Sequence, residues 1–82
     1  MPTVLRVGGF SVRIYSPPRE HGPPHVHVTH AGTEAVILLG DVDHAPSIRE
    51  TRGMSGPNIT RSLEIVAEHQ SLLLLLWRHY HG

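Results

Sequence analysis

The chain has 82 residues, enough for one small domain, and a domain of this size buries only about 60% of the surface its unfolded chain exposes, so its stability margin is thin. It contains no cysteine, which excludes disulfide staples and every thiolate metal site and leaves imidazole or carboxylate ligands, or a partner, to supplement the core. Seven arginines, with no lysine, balance seven acidic residues and exclude a global field that would draw in nucleic acid or membrane, while eight histidines make the net charge depend on pH between about 5 and 7.

Met1 to Arg6 lacks the long apolar core of a signal peptide, and the longest apolar run, Leu72 to Trp77, falls far short of the roughly 20 residues that span a bilayer. A soluble cytoplasmic protein without a membrane partner is expected. Thr3 to Val7 and Phe10 to Tyr15 are β-rich runs joined by Gly8-Gly9, a connection that supplies the positive φ angles of a tight hairpin. In the second run Phe10, Val12 and Ile14 alternate with Ser11, Arg13 and Tyr15, which places the first set in the core and the second on a wet face. Ser16 to Pro24 holds four of the seven prolines and is expected to be a loop, because each proline removes a ladder donor.

A third strand is expected from His25 to about His30, with Val26 and Val28 inward and His25, His27 and Thr29 on the opposite face. Ala31-Gly32 turns the chain into a fourth, strongly apolar strand over Thr33 to Leu39, whose continuity implies partial cover on both faces. Residues 40–56 are irregular by composition. Ser55 is a candidate N-cap with Pro57 in the first turn, and Ile59, Leu63, Val66, Leu73, Trp77 and Tyr80 then recur at helical spacing, interrupted at Gln70. The expected fold is therefore α+β: a four-stranded antiparallel meander over residues 1–39, a loop over 40–56, and over 57–81 one helix or two halves broken near His69-Gln70. On a continuous helix Leu74 and especially Leu75 point away from the sheet and become candidates for a partner or subunit contact.

The most chemically pointed stretch is Glu20-His21-Gly22-Pro23-Pro24-His25-Val26-His27-Val28. Histidines at i and i+2 of a strand lie ~7 Å apart on one face, within reach of one ion. His21, His25 and His27 are thus candidate ligands for a divalent metal such as zinc, with Glu20 and, more distantly, Asp41, Asp43 or His44 as supplements. The plainer alternative is a polar strand face whose imidazoles hydrogen-bond nearby carbonyls. His25 and His27 are also catalytic candidates, since two imidazoles near Glu20 or Glu34 form an acid–base set suited to phosphoryl transfer. Arg49, Arg52 and Arg61 are candidates for a phosphate-binding patch near a helix N-terminus, weighed against a solvated surface of mixed charge. Arg13 and Tyr15 could stack on a base.

Met1-Pro2-Thr3-Val4-Leu5-Arg6 and its hairpin, His21, Pro23-Pro24-His25-Val26-His27-Val28, the apolar strand, and a helix ending in Leu73, Trp77, Tyr80 and Gly82 together resemble a small prokaryotic family, domain of unknown function 4160. The resemblance implies no settled activity. It implies a cognate small protein, of unknown-function family 2442, and a toxin–antitoxin-like module that touches nucleic acid; homo-oligomers are a further expectation. Two features depart from the family pattern: Glu68-His69-Gln70 stands where an acidic-asparagine-arginine stretch is more familiar, and Leu72 to Leu76 replaces a segment that usually carries glutamates. Two functions are carried forward: an interaction protein of such a module, and a histidine- or metal-dependent enzyme acting on a nucleotide or RNA.

Overall fold

The computed structural model describes residues 3–15 and 22–82. Five strands, β1 (Thr3–Val7), β2 (Phe10–Arg13), β3 (His25–His30), β4 (Thr33–Leu38) and β5 (Ser47–Arg52), form one antiparallel sheet in chain order. Two helices follow, α1 (Gly56–Glu68) and α2 (Gln70–His81). The hairpin turn is where the Gly-Gly pair requires it, with φ at +49° and +83°. Ala31 takes φ +48° beside Gly32 at +79° in the β3–β4 turn, an unusual conformation for a residue with a Cβ.

The alternation expected of β2 and β3 holds. Phe10, Val12, Ile14, Val26 and Val28 are buried and meet Ile65, Val66, Leu73 and Trp77 of the helices. Val36, on the other face of β4, is also buried, in keeping with the continuous apolar run there. The sheet has five strands where four were expected. Ser47–Arg52 pairs along β4, Ala35 with Thr51 and Ile37 with Ile48, across a register shift between Val36 and Ile37. This is an edge strand whose side chains are exposed apart from half-buried Ile48, and edge strands carry charge to discourage further pairing, so its composition resembles that of a loop.

Ser55 caps α1 as expected, its hydroxyl accepting from the Asn58 amide at 3.4 Å, with Pro57 in the first turn. The helical segment is two helices. His69 leaves helical geometry at φ −118°, ψ 19°, and its ring Nδ1 donates to the Ile65 carbonyl at 2.8 Å. Gln70, which interrupts the apolar stripe, donates its side-chain amide to the carbonyls of Leu39 (2.8 Å) and His44 (3.0 Å), fastening the β4–β5 connection to the helix junction. That connection is tight: Gly40 sits at φ +68°, and a Cβ there would overlap the His44 carbonyl oxygen. Within it Asp41 Oδ1 accepts from His44 Nδ1 (2.7 Å) and from the Asp43 amide (2.9 Å). The His44 hydrogen bond, followed by the Asp43 amide, holds the Asp41 carboxyl below the usual carboxylate range. Among the described residues no helix is long and apolar enough to cross a membrane.

Candidate functional site

The sheet face turned away from the helices carries the chemistry. Cross-strand register places Arg13 beside His27, His27 beside Val36, and Ser11 beside Thr29 and then Glu34. His27 Nδ1 lies 2.8 Å from Glu34 Oε2, and their side chains retain only 15% and 22% exposure. A carboxylate only accepts, so His27 donates from Nδ1, and its neutral form carries the lone pair on Nε2. His25 Nδ1 lies 2.9 Å from the Pro23 carbonyl, and the same reasoning assigns it the same tautomer. The rigid Pro23-Pro24 step supplies this acceptor and extends the ladder through the Leu39 amide, which donates to the Pro24 carbonyl at 2.9 Å. Glu34 is in turn approached by Arg52 at 3.8 Å.

The rings form a series. Tyr15 meets His27 edge-on at 4.4 Å between centroids, His27 lies 5.6 Å from His25, His25 lies 5.0 Å from Trp77, and Trp77 stacks on His81 at 3.6 Å. The series passes from the open face of the sheet to the helix layer. It explains why His25, expected on a polar face, is only 2% exposed. Its ring lies against the indole that anchors α2.

The model of one family, described as domain of unknown function (DUF4160), matches residues 9–78. The chain belongs to this family. No curated protein and no solved structure matches it. The DUF4160 match spans Arg13, Tyr15, His25, His27, Glu34 and Trp77, leaving only His81 of the ring series outside it.

In this DUF4160 chain the expected site residues are distributed as follows. Glu20 and His21 lie outside the described residues. Among the described residues no three His, Cys, Asp or Glu side chains are grouped so as to hold a metal ion. Asp41 and His44 pair with each other in the exposed connection after β4. Arg49 and Arg52 are on β5 and Arg61 is on α1. Arg52 pairs with Glu50 at 3.2 Å besides Glu34, and Arg61 lies 3.4 Å from Glu64 and 3.7 Å from Glu68, so the charge of both is matched locally. Leu75 is 61% exposed as expected, but Leu74 is half-buried against the core; Leu72, at 44%, joins Leu75 on the outside instead. The pairing of His27 with Glu34 follows one of the acid–base sets read from the sequence. The contacts of Trp77 with His25 and His81 were missed, although the i, i+4 spacing of Trp77 and His81 signals a shared helix face.

Proposed function

We propose that the chain is the interaction subunit of a toxin–antitoxin-like module and docks its cognate small protein on the outward face of α2. The observation that carries this reading is the exposure of Leu72 and Leu75 three residues apart on a helix whose other side is already packed. Beside Leu75 runs an open groove of about 580 Å³ lined by Leu75, Leu76, Arg78 and His79. Apolar walls with a basic rim suit an apolar segment flanked by carboxylates, and the partner implied by the family resemblance is the occupant to which this reading commits.

A second reading rests on one bond, that of His27 with Glu34. A carboxylate that fixes the imidazole tautomer and balances the imidazolium prepares Nε2 to accept a proton from a hydroxyl or water attacking a phosphate ester. The two readings separate in one experiment. The protein is co-expressed with a small protein of unknown-function family 2442, and complex formation is measured by calorimetry alongside RNA and nucleotide hydrolysis. Docking on α2 predicts that Leu75→Glu weakens the complex at least 100-fold with little change in melting temperature, while His27→Gln binds as wild type. Binding unchanged in Leu75→Glu would remove the docking reading. A concentration-dependent dimer abolished by Leu75→Glu, without a heterocomplex, would assign the face to a second copy of the chain. Hydrolysis lost in His27→Gln but kept in Leu75→Glu would install the catalytic reading.

A further inference from the structure

Of the four arginines placed in strands, Arg52 has carboxylate partners, whereas Arg49 on β5, Arg6 on β1 and Arg13 on β2 make no ion pair among the described residues. Arg6 and Arg13, on neighbouring strands, share a face. Arg6 is the cross-strand partner of Ser11, and Ser11 is two residues before Arg13 on β2, so both arginines project from the sheet surface opposite the helices. Diagonal neighbours of this kind stand about 7–8 Å apart, close enough for two like charges to raise the local potential. No carboxylate is beside either one in the β1–β2 register, where the facing residues are Thr3 and Ser11. Arg6 is exposed, and Arg13 Nε is shielded from solvent with no hydrogen-bond partner among the described residues, an unsatisfied donor on a charged group. Two residues beyond Arg13 is Tyr15, half-buried, with its ring held edge-on by His27.

We propose that Arg6, Arg13 and Tyr15 form a binding site for single-stranded nucleic acid, with the two guanidinium groups on successive backbone phosphates and the tyrosine ring as a stacking platform for a base. Paired basic groups supply affinity for the backbone, and the aromatic face adds stacking that tolerates any base. The second, unpaired arginine distinguishes this site from a single anion-binding residue. It also differs from the Arg49, Arg52 and Arg61 set, two of whose members are neutralised by glutamates. The site uses no residue of α2 and is independent of the docking reading.

The test is fluorescence anisotropy of a labelled single-stranded RNA oligonucleotide with the full chain, titrated at several salt concentrations. Wild type is expected to bind, and Arg6→Gln and Arg13→Gln are each expected to weaken binding at least fivefold and to lower the slope of log K against log salt by about 1. Tyr15→Leu should weaken binding while keeping the salt slope. Arg49→Gln and Leu75→Glu should bind as wild type, the latter showing that loss of the protein-docking face leaves this site intact. Arg6→Glu, at an exposed position, provides a charge reversal with the fold preserved, which its melting temperature verifies. The proposal is overturned if Arg6→Glu and Arg13→Gln bind as wild type. It is also overturned if inorganic phosphate competes as well as unlabelled oligonucleotide at equal phosphate concentration, since the site would then be for a simple anion.

Discussion

His25 and His27 occupy one strand two residues apart, yet their surroundings give them different work. His25 donates from Nδ1 to the Pro23 carbonyl and lays its ring against Trp77, so it ties the start of β3 to the packing of α2. His27 keeps some solvent access and leans on Glu34, a partner that can balance charge as well as fix a tautomer. Replacing Glu34 by alanine removes the acceptor that selects the Nδ1–H form. The ¹⁵N resonances of the neutral His27 ring should move from a single tautomer toward a mixture, while those of His25 stay in place. The accompanying loss of stability should be only about 1 kcal/mol, because both side chains remain partly hydrated. An unchanged His27 spectrum in Glu34→Ala would show that the tautomer is set elsewhere. The distinction between the two histidines was not legible beforehand: alternation puts both on one face, and only tertiary packing brings an indole from 52 positions later against the first.

At the scale of elements, the junction between the helices depends on a residue that hydropathy alone treats as an interruption. Gln70 binds two carbonyls of the β4–β5 connection, more than twenty-five positions away, and so couples the end of the sheet to the start of α2. Gln70→Ala should cost about 1–2 kcal/mol in urea unfolding and should raise hydrogen exchange of residues 39–45 above that of the neighbouring strands. Equal exchange in mutant and wild type would mean that the Asp41–His44 pairing holds the connection unaided. The hairpin, the two histidine-bearing faces of β3, the Ala31-Gly32 turn and the Ser55 cap were readable because each is a local rule of period or φ angle. β5 was not, because an edge strand of serine, threonine and charged residues offers only Ile48 to a periodicity argument. The break at His69 was undecidable because apolar positions keep helical phase on both sides of it.

For the molecule as a whole, one tryptophan joins the layers. Trp77 is 7% exposed and lies in the core cluster while also contacting rings from β3 and from its own helix. Removing a buried tryptophan side chain costs about 3–5 kcal/mol, against a total of roughly 4–12 kcal/mol for a domain of this length. Trp77→Ala should therefore be extensively unfolded or melt at least 15 °C lower by circular dichroism, whereas Leu75→Glu, two residues earlier on the exposed side, should melt within a few degrees of wild type. A Trp77→Ala protein that melts like wild type would show that α2 contributes little to the fold.

The same indole has a spectroscopic consequence. It is the chain's single tryptophan, and two imidazoles contact it, one from the sheet and one from the helix. Protonated imidazole quenches indole emission, so the intrinsic fluorescence of the unmodified protein carries a built-in gauge at the seam between its layers. Separation of α2 from β3, by acid, denaturant or a partner pulling on the helix, would register there as a change in intensity and a red shift, with no label attached.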